Sequence, residues 1–214
     1  MNASRGAISG RMLVLLVMLA LALFLLINRE LLWFAAKGLT NGEEDVSGLF
    51  VSLGENVGEQ AIVASTPALR FRCGAMPLAN RALGDRYCWA YVRSYEGVRA
   101  LGVAYFFRQG RLESAKVDIP WWLHGLMANR LRHQFGEPTM IQHLPVGNQR
   151  LEGWRVANGV ILYNRDPDLN PLQTNTVFWM SRQHYGNVSR SASAGNQSTT
   201  AAQWLRWLLS KWVH

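Results

Sequence analysis

Two cysteines, five histidines, the acidic pair Asp166 and Asp168 and the adjacent Trp121 and Trp122 are the side chains of this 214-residue sequence whose types suit bonding, coordination, proton transfer or recognition. Cys73 and Cys88 are spaced for a single disulfide in an oxidising compartment. Two thiols with no His pair nearby fall short of a tetrahedral metal set, and neither cysteine opens a helix, where a thiolate would be stabilised. His124 and His133 fall nine apart on one predicted helix, not at the four-residue spacing that stacks two zinc ligands. Together with Arg130 and Arg132, His133 marks a basic solvent face. His143 falls in a loop without an acidic neighbour in sequence. Ser181 and His184 are close only along the chain, and that does not make a triad. Asp166-Pro167-Asp168 reads as turn chemistry, and two carboxylates are too few for a calcium site. No GxSxG, SxxK, P-loop or GxGxxG pattern occurs. The chain is therefore expected to be non-enzymatic and to hold neither metal nor cofactor. Trp121 and Trp122 stand at a strand–helix junction, where one can pack inward and the other be left exposed. An exposed ring there, with Arg130, Arg132 and His133, would form a candidate binding surface, against which plain core packing is the favoured reading.

The segment that decides where these groups work is Met12 to Ile27, MLVLLVMLALALFLLI, which has no charge and no helix breaker. It is slightly short of the roughly 20 residues that span a hydrocarbon core. Helical character is expected to continue through Asn28, Arg29 and Glu30 to Phe34, with Arg29 snorkelling and Trp33 in the aromatic belt, so the anchor is placed at 12–34. Arg5 and Arg11, with no acid beside them, put residues 1–11 in the cytoplasm by the positive-inside rule. A cleavable signal is the competing reading. Its small-residue site at Ala20-Leu21-Ala22 precedes Leu23, Phe24, Leu25 and Leu26, inside the apolar region, which favours an uncleaved anchor. Residues 35–47, with Gly38, Gly42 and the acids Glu43, Glu44 and Asp45, read as a stalk. Residues 48–185 are long enough for one domain. The net charge of +8 suits anionic lipid, anionic wall polymers or acidic proteins. Scattered basic residues without a nucleic-acid motif argue against nucleic acid as a partner.

Within 48–185 the pattern predicts an α+β fold with a mostly antiparallel sheet. Ser47 to Ala64 predicts a loose helix interrupted by Gly48, Gly54 and Gly58. Leu69 to Cys73 alternates as a half-buried strand, and Cys88 to Val92 is rich in strand formers. Val98 to Phe107 reads as one long strand that returns through Arg108-Gln109-Gly110-Arg111 into Leu112–Ile119. Pro120 is expected to open a helix with a buried stripe of Leu123, Met127, Leu131 and Phe135, ended by Gly136 and Pro138. Asn158-Gly159 predicts a type I′ turn between Trp154–Ala157 and Val160–Tyr163. Asn175–Met180 is a last strand. The phrase from Val103 to Leu112, with a following helix ending in FGEP, resembles small bacterial periplasmic α+β modules without singling out a family.

Residues 186–200 are rich in Ser, Gly and Asn and read as a flexible linker. Residues 201–214, AAQWLRWLLSKWVH, change character abruptly. Trp204, Leu205, Leu208, Leu209 and Trp212 share one broad helical face, with Trp207, Arg206 and Lys211 beside it. Such a helix suits the membrane interface, although docking on a partner or on its own sheet needs the same face. The expectation is a single-pass protein of a bacterial inner membrane with its main domain in the periplasm, acting as an envelope interaction or assembly module. Binding of an anionic lipid or cell-wall polymer is the alternative, and an envelope hydrolase is a more distant one.

Overall fold

A computed structural model describes residues 10–42, 44–54, 56–143, 150–165 and 174–187. The apolar N-terminal segment forms helix α1 (Gly10–Ile27), with a mean hydropathy of 2.7 and none of it buried against the rest of the protein. By length and composition it is able to cross a membrane. The helix does not run on unbroken to Phe34. Asn28 leaves the helical region (φ −104°, ψ 12°), and its side-chain amide donates to Phe24 O at 2.8 Å. An Asn that bonds the carbonyl one turn back competes with the helical ladder, so a second helix, α2 (Arg29–Asn41), begins there.

The expected stalk is largely structured. Gly38 of α2 is buried against Leu101, where an added Cβ would stand 2.9 Å from that side chain. Asp45–Val46 (β1) pairs in parallel with Ser94–Tyr95 (β4), and β4 turns back on Val98–Arg99 (β5). The predicted strand Val98–Phe107 is broken for this reason. Glu96 and Gly97, both at positive φ (52° and 77°), make a tight turn that takes Val98 and Arg99 into this small three-stranded sheet. The long strand restarts only at Gly102.

Eight antiparallel strands form the main sheet, in the order β2-β3-β6-β7-β11-β10-β9-β8. They are Arg72–Ala75 (β2), Arg86–Ala90 (β3), Gly102–Arg108 (β6), Arg111–Pro120 (β7), Met140–His143 (β8), Arg150–Val156 (β9), Gly159–Arg165 (β10) and Thr174–Ser181 (β11). The first predicted strand starts later than its alternation suggested. Leu69 is buried in a turn whose N–H reaches Thr66 O, and Phe71 packs edge-on against Tyr105, so both are inward anchors of irregular chain before the ladder begins. The Gln109-Gly110 turn forms as expected, with both residues at positive φ (52° and 74°).

Asn158-Gly159 does not form the predicted type I′ turn. Gly159 pairs with Val156, so the two-residue loop is Ala157-Asn158, and positive φ is confined to other residues. Tertiary contacts explain the motif instead. A Cβ on Gly159 would stand 2.0 Å from Met180 O, so only glycine admits the neighbouring strand this closely. The Asn158 amide donates to Phe50 O at 3.1 Å and also to Leu53 O.

On the sheet's first face, Val103, Tyr105, Phe107, Ala115, Val117, Ile119, Trp154, Ile161, Val177 and Trp179 join one apolar core. It is covered by the short helices α3 (Leu49–Ser52) and α4 (Glu59–Ser65) and by helix α5 (His124–Phe135). Met127 and Leu131 are fully buried and Leu123 and Phe135 pack partly against them, which is the predicted stripe. Pro120 closes β7 rather than opening the helix. A 3-10 turn (Trp121–Leu123) intervenes, and Gly136 at φ 80° ends α5, as its sequence implied. The second face carries a separate cluster of Ala104, Phe106, Leu151, Val160, Leu162, Phe178 and Met180.

Candidate functional site

The outer side of α5 carries the exposed residues of the expected binding surface. Helical geometry places residues i, i+4 and i+7 on one side, and Leu126, Arg130 and His133 of α5 follow that spacing, with Trp122 in the 3-10 turn that leads into the helix. Trp122 is 51% and Leu126 56% exposed, and the sequence reading did not single out Leu126. Neither Trp121 nor Trp122 is enclosed in the core. Trp121 is half-buried and meets Trp122 edge-on at 6.1 Å between ring centres. Arg130 Nη2 lies 3.8 Å from Glu96 Oε2, at the edge of the stripe.

Arg132 does not belong to this surface. It turns to the side and donates to Glu152 Oε1 at 2.6 Å, with Arg150 3.2 Å from the same oxygen. Glu152 is fully buried, and the two guanidinium groups make that burial tolerable. The basic face read from Arg130, Arg132 and His133 is thus two features, an exposed stripe and a buried clamp holding α5 to β9.

Two further charged constellations went unread in the sequence. Lys116 Nζ meets Asp118 Oδ2 at 2.7 Å, Thr176 Oγ1 donates to Asp118 Oδ1 at 2.9 Å, and the Lys and Asp side chains are 7% and 9% exposed. These residues lie on the second face of the two central strands. The other is centred on Glu113, the extra residue of a β-bulge opposite Phe106 and Phe107. A bulge re-aims a side chain, and Glu113 accepts from Arg108 Nε at 2.8 Å with His184 Nδ1 at 3.3 Å. Burial pushes the Glu113 carboxyl up, but His184 and Arg108 together hold it below its ordinary value.

The histidines are dispersed. His124 Nδ1 lies 3.0 Å from Trp121 O in the first turn of α5, His133 is exposed, and His184 is buried beside Glu113. Asp166, Asp168 and the tail residues Trp204, Leu205, Trp207, Leu208 and Trp212 lie outside the described residues.

Cys73 and Cys88 form a disulfide between directly paired positions of β2 and β3. Glu59 lies near both sulfurs. With the sulfurs bonded to each other they offer no thiolates, so the three residues are not a metal set. Glu59 instead accepts two hydrogen bonds from Arg86, at 2.7 and 2.9 Å, which holds its carboxyl below the ordinary value. Near the end of α2 an open cleft of about 310 Å³ is lined by Thr40, Glu44, Leu69, Arg70, Arg72 and Tyr91. The apolar helix and the disulfide accord with a membrane-attached chain in an oxidising compartment.

No protein family, curated protein or solved structure matches the chain in comparisons with all three.

Proposed function

We propose that this chain is a membrane-anchored, non-enzymatic interaction or assembly module of a bacterial envelope. Its N-terminus is cytoplasmic and its α+β domain periplasmic, and it engages a protein partner through the outer stripe of α5. The observation that carries this reading is the stripe itself, Trp122, Leu126, Arg130 and His133, on a domain carried by an apolar helix. Aromatic and Arg anchors beside an aliphatic residue are the composition of an interface centre. The buried charged groups fit the same reading, because Glu152, Asp118 and Glu113 are each occupied by cations that fix the fold. A photoreactive phenylalanine at Leu126 in living cells tests it. The expected result is a discrete protein adduct that Trp122→Ala reduces at least tenfold. Adducts with lipid alone, or an adduct indifferent to Trp122, would overturn it.

A second reading, binding of anionic headgroups or wall polymer, is favoured by Arg70 and Arg72 in the cleft near the end of α2. Such binding weakens steeply with added salt, whereas an α5 interface with an apolar centre weakens little.

A further inference from the structure

The cleft near the end of α2 holds charges of both signs. Arg70 and Arg72 line it, and so does Glu44, beside Thr40, Leu69 and Tyr91. At about 310 Å³ it stands at the small end of ligand-sized cavities. A site for a simple anion gains nothing from a carboxylate next to its guanidinium groups. A ligand that carries an ammonium a few bonds from a phosphate uses both.

The basic wall is set in place by the sheet. Arg72 of β2 pairs directly with Trp89 of β3, one position from the Cys73–Cys88 disulfide. Its guanidinium lies over the Trp89 ring, 5.3 Å from the ring centre, and Trp89 meets Tyr91 edge-on at 4.9 Å. A guanidinium stacked by its flat face keeps the N–H fork at its edge for two phosphate oxygens. Of the two acids at the end of the stalk, Asp45 is taken up by Arg93, at 3.0 Å, and by Ser94, and Glu44 is the one that lines the cleft.

Helix α2 leads from the apolar helix to this cleft. Arg29, Trp33, Ala36 and Thr40 are exposed and follow the i, i+4, i+7, i+11 spacing of one helical side. Trp33 is 61% exposed, and Lys37 Nζ lies 4.5 Å from the centre of its ring. A tryptophan and cations just past the end of an apolar helix are the composition of the headgroup layer. On the opposite side Gly38 is buried against Leu101, which fixes the helix to the domain. Thr40 ends the exposed side, about 17 Å along the helix from Arg29, and is itself a lining residue of the cleft. That side of α2 therefore opens into the cleft at its far end.

Resting on the headgroup reading of this cleft, we infer that it takes a zwitterionic phospholipid headgroup, an ammonium-bearing phosphodiester of the phosphatidylethanolamine type, from a bilayer along which α2 lies. Arg70 and Arg72 hold the phosphate, Glu44 accepts from the ammonium, and Tyr91 closes the wall beside them. The carboxylate disfavours lipids that carry negative charge alone.

Native mass spectrometry of the full chain in non-ionic detergent, titrated separately with phosphatidylethanolamine, phosphatidylglycerol and glycerophosphoethanolamine, tests this. The expected result is one equivalent of phosphatidylethanolamine, bound at least tenfold more tightly than either of the others. Arg72→Gln should weaken that binding at least tenfold. Glu44→Gln should bring the two lipids to equal affinity, while Leu126→Ala, on α5, changes neither. Phosphatidylglycerol bound as tightly as phosphatidylethanolamine, or a preference that survives Glu44→Gln, overturns the zwitterionic assignment and leaves the anionic-headgroup reading standing. No one-to-one complex with either lipid overturns both. Glycerophosphoethanolamine bound as tightly as the lipid makes the cleft a site for a soluble phosphodiester and overturns the lipid assignment.

Discussion

The two faces of the main sheet bury side chains by different means. On the first face, the strand residues Ala115, Val117, Ile119, Val177 and Trp179 are apolar, and α5 brings Met127 and Leu131 to meet them. On the second, the same strands present Ser114, Lys116, Asp118 and Thr176, all at most 6% exposed, among apolar neighbours. An apolar face is stabilised by area removed from water, and one lost contact reduces it in proportion. A face with a buried ion pair depends on completeness, because either charge without its partner carries an unmet desolvation cost. The first face therefore tolerates change by degrees, and the second does not.

Breaking this contrast is possible at single residues. Asp118→Ala removes the carboxylate that Lys116 meets at 2.7 Å and should cost about 3–5 kcal/mol, measured as denaturant stability of the full chain in detergent. Replacing Lys116 and Asp118 together with Met and Leu should recover most of that loss. A double variant as unstable as Asp118→Ala would show that shape, not charge, governs the second face. On the first face, Leu131→Ala should cost about 2–5 kcal/mol through the cavity it leaves. The smallest effect is that of pH at Glu113. Its carboxyl is held below the ordinary value of 4.5 in the folded chain, so it contributes stability above that pH, and the contribution is lost as pH falls through the lowered folded value. Thermal unfolding between pH 6 and pH 3 should show this decline, and Glu113→Gln should flatten it. An unchanged slope would detach Glu113 from the stability of the bulge.

The first face was legible in the sequence because its signals are periodic. Leu123, Met127, Leu131 and Phe135 announce α5 at helical spacing, and Gly136 marks its end. The alternation of Ala115, Val117 and Ile119 announces β7. That same alternation misleads about the other face, since Ser114, Lys116 and Asp118 read as a solvent side. Only the strand order, which sets Thr176 of β11 opposite Asp118, shows them enclosed. Asn158-Gly159 failed for a related reason. The motif is strong turn chemistry locally, but Gly159 is required by the approach of Met180 and Asn158 by the carbonyls of Phe50 and Leu53, contacts more than 100 residues apart for the latter pair. Arg132 was assigned to the exposed surface because helical spacing does not reveal a buried carboxylate on a strand twenty residues away. The disulfide was legible from two cysteines and an apolar N-terminal helix, while their direct pairing across β2 and β3 was not.

The account rests most heavily on the domain being held at a membrane on its oxidising side. Alkaline phosphatase fused to the C-terminus of the full chain, assayed in bacterial cells and followed through extraction at high pH, measures this. The account predicts an active enzyme that stays with the membrane fraction. An inactive fusion, or one released at high pH, would contradict it.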